Sequence, residues 1–213
     1  MLVGVPKEIK NHEYRIGMTP GSVRELVRHG HAVIVQKDAG SAIGLSDEQY
    51  AAAGAELADS AEEVFARAQL IVKVKEPQPE ECRRLRPDQT LFTYLHLAPD
   101  PRQTDLLLAS GVTAIAYETV SDRFGALPLL TPMSEVAGRM SIQVGAASLE
   151  KTRGGSGVLL SGVPGVSPGR VTILGGGVVG SNAARIAIGL GADVTVIDRS
   201  LDRLRSLHGQ FGN

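Results

Sequence analysis

The stretch VTILGGGVVGSNAA, from Val171 to Ala184, carries an apolar strand straight into Gly175, Gly177 and Gly180. Few structures admit it, because a buried strand, a glycine turn and a helix start must follow one another without a break. Gly175 permits the tight turn, Gly177 lets backbone approach a pyrophosphate, and Gly180 lets the new helix pack closely on the strand. Free N–H groups at that helix start, with Val178 and Val179 at the closest approach, attract phosphate. Asp198 closes the next strand, 18 residues after Gly180, where it would accept hydrogen bonds from a ribose. A carboxylate there repels a 2′-phosphate, so the pattern favours NAD over NADP, a preference that Arg199 and Arg203 weaken slightly. The glycine spacing alone is a weak signal, and a turn that merely packs is its alternative. Strand, helix and acid together favour the dinucleotide.

The sequence before this loop alternates strands and helices. Strands are predicted at Leu2–Val5, Ala32–Gln36, Leu70–Lys75, Thr90–Leu95 and Val112–Tyr117. Thr19-Pro20 reads as an N-cap and first turn, and Gly30 as the end of that helix. Helices are predicted around Glu48–Ala53, Ala61–Ala68, Glu80–Leu85 and Arg102–Ala109. This alternation predicts a parallel sheet covered on both faces. A longer helix starts at Thr131-Pro132, with Met133, Val136, Ala137, Met140 and Val144 on one face. Arg153–Gly169 is dense in Gly, Pro and Ser and reads as a connector. The loop helix is predicted over Val179–Leu190 and a last strand over Asp193–Ile197.

Ligands of such sheets bind beyond the carboxyl ends of the strands. Three polar residues follow strand ends: Arg15 after Leu2–Val5, Lys75 at the end of the Leu70 strand, and His96 after the Thr90 strand. Together they match a small α-keto or α-amino acid. A guanidinium grips a carboxylate with two prongs, an ammonium holds or polarises a carbonyl oxygen, and an imidazole exchanges protons near neutral pH. Each has a plainer alternative. Arg15 sits among Lys7, Lys10 and His12 and would serve as a solvated loop charge. Lys73 shares a face with Lys75, so one of the two would be an edge-strand charge. His96 would be satisfied by a backbone carbonyl. Glu118, after the Val112 strand, is a fourth candidate or a surface charge. His29 and His31 read as surface residues, and His12 and His208 have no nameable partners.

Composition excludes some classes. Of 213 residues, 43% are hydrophobic and 21% charged, and the net charge is −1, so nothing points to nucleic acid or an anionic membrane. Cys82 is the single cysteine, which leaves no disulfide and no metal site. Met1 leads into LVGVP and then charged residues, so no secretory signal is read, no apolar run approaches a membrane span, and a cytoplasmic protein is expected.

The segments GVPKEIKNHEYRIGMTP, IVKVKEP, LFTYLHLAPD, AIAYETV, LPLLTPMSEVAGRMS, GVLLSGVPGVSPG and VTILGGGVVGSNAARIAIGLGADVTVID closely resemble bacterial alanine dehydrogenases. The transhydrogenase α subunit shares the general plan, but LHLAPD, with His96, is similar to the alanine dehydrogenase version. The resemblance implies oxidative deamination of L-alanine to pyruvate and ammonium with NAD. It implies that Arg15 and Lys75 bind substrate, that His96 is the acid/base, that Ser134 meets the coenzyme, and that Asp198 binds the adenosine ribose with Arg203 nearby. The implied fold is α/β: two Rossmann-like doubly wound units around a cleft, the second incomplete, in a homo-oligomer that is a hexamer in the family. The expected domains are 1–130 for substrate, 131–170 as connecting helix and linker, and 171–213 as the start of the NAD-binding domain. Family members continue further and supply a second catalytic residue, an Asp, so a truncated form is expected, with an open sheet edge after Val171. A transhydrogenase-like protein and a non-catalytic nucleotide- or keto-acid-binding remnant are the alternatives.

Overall fold

A computed structural model describes residues 1–212. The chain forms two compact units, Met1–Ser121 and Asp122–Asn213.

The first unit is a parallel sheet of β1 (Leu2–Val5), β2 (Ala32–Gln36), β3 (Glu56–Ala58), β4 (Leu70–Val72), β5 (Thr90–Thr93) and β6 (Thr113–Ala116). Their order is β3-β2-β1-β4-β5-β6, and every pairing is parallel. The chain builds outward from β1 on one side, then returns to build on the other, so a switch point lies between β1 and β4. The connecting helices are α1 (Pro20–Arg28), α2 (Asp47–Ala52), α3 (Ala61–Arg67), α4 (Pro79–Cys82) and α5 (Pro101–Ser110). Successive strand residues point to opposite faces, and two cores result. Ile34, Ile71 and Leu91 pack with Val64 and Phe65 of α3 and Leu107 of α5. Val3, Val5, Val33, Val35 and Val72 pack with Val23 of α1 and Tyr50 of α2. Gly4 belongs to the first face, where a Cβ would overlap Ala68 and Val64, so α3 lies close over β1.

Local signals explain the helix ends. Thr19 accepts the Ser22 N–H at 3.3 Å, with Pro20 in the first turn, and Gly30 takes a φ of +79° just past the end. Asp100 caps α5 through the Gln103 N–H at 3.0 Å. Three predicted strands are shorter than read: β4 stops at Val72, β5 at Thr93, and β6 spans only Thr113–Ala116. Past β4 and β5 one more N–H on each still donates across the pair, and the next, of Val74 and Leu95, turn to the carboxylates of Glu8 and Glu118.

The second unit contains α6 (Thr131–Ser148), β7 (Arg170–Leu174), α7 (Val178–Gly189), β8 (Asp193–Ile197) and α8 (Leu201–Phe211). β7 and β8 pair in parallel from Arg170↔Asp193 to Leu174↔Ile197. The core is Ile142, Leu160, Ile173 and the alanines Ala183, Ala184 and Ala187. The buried face of α6 is that of Gly138 and Ile142, whereas Val136, Met140 and Val144 are exposed. Close approach decides this. A Cβ on Gly138 would overlap the Val179 carbonyl of α7, so the smallest residue of α6, rather than its largest apolar side chains, marks the helix contact. Among the described residues no helix is long and apolar enough to cross a membrane.

Candidate active site

β1, β4 and β5 are adjacent and parallel, so the segments leaving them emerge at one edge of the sheet. Arg15 lies in the segment after β1, and Lys75 and His96 each lie three residues past the end of β4 and β5. These segments are tied to each other. Tyr94 N donates to Val74 O at 3.3 Å, and Thr93 Oγ1 donates to Lys75 O at 2.9 Å. A Cβ at Gly17 would meet the Val72 carbonyl carbon at 2.9 Å. Only glycine lets the loop carrying Arg15 pass so near the end of β4.

Arg15 is half-buried and bound to a neighbour, unlike a solvated loop charge. Its Nε donates to Glu13 Oε1 at 2.8 Å and its Nη2 to Glu13 Oε2 at 2.5 Å. These hydrogen bonds hold the Glu13 carboxyl below the usual carboxylate range, with burial opposing and the charge of Lys75 assisting. Lys75 therefore shares the Glu13 field with Arg15. Tyr94 links Arg15 to His96: burial pushes its phenol up while Arg15 pulls it down, and its ring stacks on the imidazole with centroids 5.9 Å apart and planes at 13°. Tyr117 meets Tyr94 edge-on at 5.0 Å. The His96 side is exposed and the tyrosine side buried.

Two carboxylates terminate the two strands that carry Lys75 and His96. Glu8 Oε1 accepts from Val74 N at 2.6 Å and Lys75 N at 3.4 Å. Its Oε2 accepts from Lys73 Nζ at 3.0 Å, and Glu81 Oε1 accepts from the same ammonium at 2.7 Å. Lys73 is fully buried in this triad and β4 is an inner strand, so the edge-strand alternative does not describe it. Beside it, Glu118 Oε1 accepts from Leu95 N at 3.0 Å and His96 N at 2.7 Å. Glu118 is thus engaged with the His96 backbone, and the surface-charge alternative fails. Sequence reasoning did not find Glu8, Glu13, Glu81 or Tyr94. Glu13, two residues before Arg15, was the one local cue.

The second unit holds the glycine loop. β7 ends at Leu174 and α7 starts at Val178. Gly175 takes a φ of +95°, a Cβ at Gly180 would overlap the Gly175 carbonyl oxygen, and nothing lies within 4 Å of a Cβ placed on Gly177. One glycine thus makes the turn, one packs the helix, and one leaves open space. A cavity of about 570 Å³ adjoins the loop, and Ser134, Gly175, Gly177, Val178 and Val179 line it. Ser134, from α6, is therefore brought to the loop. Asp198, after β8, accepts from Gly176 N at 2.6 Å and Ser200 N at 2.8 Å, and these bonds hold its carboxyl below the usual range. Arg203 donates to the Gly176 carbonyl through Nε. Both residues brace the loop backbone. Open space at Gly177, helix N–H groups and an acid at the next strand end fit a dinucleotide.

Cys82 is buried, with its Sγ 3.6 Å from the Pro77 carbonyl. His12 Nδ1 is 2.9 Å from the Tyr14 hydroxyl, and His29 Nδ1 is 2.9 Å from the Glu25 carbonyl. Among the described residues no cluster of three His, Cys, Asp or Glu side chains could hold a metal.

The model of the alanine dehydrogenase/PNT N-terminal domain matches residues 4–137, and that of the C-terminal domain matches residues 141–213. The chain is 59% identical over 211 residues to an alanine dehydrogenase of Halomonas elongata, covering 99% of this chain and 57% of that protein. It is 57% identical over 213 residues to an alanine dehydrogenase of Bacillus subtilis, covering 100% of this chain and 56% of that protein. A solved L-alanine dehydrogenase superposes with a TM-score of 0.92 at 54% identity, over 100% of this chain and 59% of that one. A transhydrogenase from Sinorhizobium meliloti shares the fold, with a TM-score of 0.79 at 23% identity over 97% of this chain and 62% of that one. The chain thus spans about 57% of the curated relatives' length.

Proposed function

The chain belongs to the alanine dehydrogenase/PNT family, and from that membership we propose that the protein carrying it is an NAD-dependent L-alanine dehydrogenase. The reaction is reversible: L-alanine, NAD⁺ and water give pyruvate, NADH, ammonium and a proton. NAD⁺ supplies the acceptor for the hydride on the substrate α-carbon. The observation that most supports this reading is that Arg15, Lys75 and His96 follow the C-terminal ends of three adjacent strands, beside the switch point between β1 and β4.

In this reading Arg15 binds the substrate carboxylate by charge-assisted hydrogen bonds. Lys75 holds the oxygen of pyruvate and polarises its carbonyl. Once the α-carbon has lost its hydride and is doubly bound to nitrogen, a ring nitrogen of His96 takes a proton from the water that adds to that carbon and returns a proton as the C–N bond breaks and ammonia leaves; from pyruvate the same steps run backwards. The N–H groups of Gly177, Val178 and Val179 face the pyrophosphate, with Gly175 and Gly180 shaping the loop. Asp198 accepts from the adenosine ribose and disfavours a 2′-phosphate, Ser134 meets the coenzyme, and Arg203 lies beside the loop. The partners are small molecules, with neither nucleic acid nor membrane involved. By resemblance to the family, the enzyme is a cytoplasmic homo-oligomer, a hexamer.

The test is NADH formation from L-alanine by the protein carrying this chain, with NADP⁺ in parallel. Alanine-dependent reduction of NAD⁺, and weaker reduction of NADP⁺, is expected. Hydride exchange between NADH and an oxidised NADP analogue without alanine turnover would assign the transhydrogenase branch. Binding of pyruvate or NADH with neither activity would make the chain a non-catalytic remnant.

A further inference from the structure

Where a strand leaves its ladder, the next backbone N–H and C=O groups need new partners. After β5 these partners are side chains. The Leu95 carbonyl accepts from Gln103 Nε2 of α5 at 2.9 Å. The His96 N–H donates to Glu118 Oε1 at 2.7 Å, so the Leu95–His96 peptide is held at both its polar groups. Glu118 also accepts the Leu95 N–H, through Oε1 at 3.0 Å and Oε2 at 3.2 Å. Its own position is set by a 3-10 turn, Tyr117–Thr119, that directly follows β6, whose last residue pairs with the last of β5 (Thr93↔Ala116).

The backbone so held is an unusual one. His96 takes a φ of +50°, in the left-handed region, where a residue with a Cβ is strained. Such a conformation persists only when its surroundings impose it. A return to negative φ would swing the Cβ and carry the imidazole away from its stack on Tyr94. Glu8 does the equivalent at the neighbouring strand end, accepting from Val74 and Lys75, so carboxylate clips stand past the ends of β4 and β5, the two strands that Lys75 and His96 follow.

We propose that Glu118 is a positioning residue that holds His96 in its left-handed conformation and thereby sets the place of the imidazole for proton transfer. This rests on the role given to His96 above. The requirement is for an acceptor oxygen at the right reach, not for a charge. Glu118→Gln keeps such an oxygen, whereas Glu118→Asp keeps the charge but withdraws it by one methylene.

The experiment is steady-state kinetics of alanine oxidation for both variants, and for Glu118→Asp combined with His96→Ala, in the protein carrying this chain. Glu118→Gln is expected to keep kcat within about threefold of wild type. Glu118→Asp is expected to lower kcat by about 10- to 100-fold, as a small misplacement of a reacting group does, with KM for alanine nearly unchanged. In the His96→Ala background Glu118→Asp should cost less than about twofold more, because the ring it positions is gone. Wild-type kcat in Glu118→Asp, an equal loss in Glu118→Gln, or full additivity with His96→Ala would each overturn the positioning role. Wild-type turnover in His96→Ala alone would overturn the His96 assignment itself and this proposal with it.

Discussion

Glu13 grips one edge of the Arg15 guanidinium: Nε and Nη2 donate to its two oxygens at 2.8 and 2.5 Å, and the Arg15 backbone N–H adds a third bond at 2.9 Å. A guanidinium carries five N–H donors in a fixed plane, so a carboxylate on one edge fixes the direction of the others. Glu13 thus orients the group that would meet the substrate carboxylate. Glu13→Ala is expected to raise KM for alanine and pyruvate by about 10-fold with a smaller change in kcat, as loss of a binding interaction does. The pair also has a defined acid limit. Because the folded pKa of Glu13 is depressed, its contribution is present above the ordinary value of 4.5 and is lost only as pH falls through the lower folded value. KM in wild type should therefore not rise on this account between neutral pH and the ordinary carboxylate range.

The glycine loop separates packing from ligand approach. A Cβ at Gly177 meets nothing within 4 Å, whereas one at Gly180 overlaps the Gly175 carbonyl. Gly177→Ala should fold normally by circular dichroism yet lose NADH binding by at least about 10-fold in calorimetry, because the methyl group occupies the space of close backbone approach. Gly180→Ala should lower the melting temperature as well, since α7 must move away from β7.

Lys73 ties Glu8 to Glu81 in the first unit, with all three side chains buried. Removing one partner of a buried ion pair leaves charge uncompensated and typically costs about 3–5 kcal/mol. Lys73→Met should show a loss of that order in urea unfolding. Burial already pushes the Glu81 carboxyl up against the pull of Lys73. A carboxyl with a raised folded pKa favours the fold below its unfolded value and loses that contribution as pH rises. The deficit of Lys73→Met should therefore be larger at pH 8 than at pH 5, and adding Glu8→Gln and Glu81→Gln should recover part of it.

Cys82 is an inert thiol in this setting. Burial, first, and the Glu81 charge push it up to about 11. Thiol reagents at pH 8 should label it at least about 10-fold more slowly in the folded protein than in urea, because the thiolate is the reactive species. The raised value also implies an alkaline limit. Stability from the neutral thiol is present below its ordinary value of 9.0 and declines as pH rises towards about 11.

Local patterns carried most of the first unit. The limits of β1 and β2 and the Thr19 cap follow from apolar runs and capping residues, and the alternation implied parallel strands whose ends share one edge. β3 escaped because Glu-Leu-Ala is too short and too polar to look like a strand. α8 opens on Ser200, which caps the Arg203 N–H at 3.2 Å, but its polar composition hid the periodicity. The deeper omission concerns charge. A lysine in a strand reads as exposed, and Lys73 is buried only because Glu8, 65 residues away, and Glu81 converge on it. Glu118 likewise gains its place from the register of β5 and β6. Partners so distant in sequence leave no local signal: Arg15, Lys75, His96 and Glu118 could each be named from a strand end, but not the bonds of Glu118 to the His96 backbone or of Glu8 to the Lys75 strand. On α6, the apolar stripe was visible, but the buried face was chosen by Gly138.

In the proposed mechanism His96 exchanges the proton at the edge where Arg15 and Lys75 bind substrate. Its most direct test is kcat for alanine oxidation in the His96→Ala variant of the protein carrying this chain, with folding checked by its melting curve. A general acid/base contributes about 10²- to 10⁴-fold, so a fall of that size is predicted with little change in KM for NAD⁺. Wild-type turnover in a folded His96→Ala protein would rule out His96 as the acid/base.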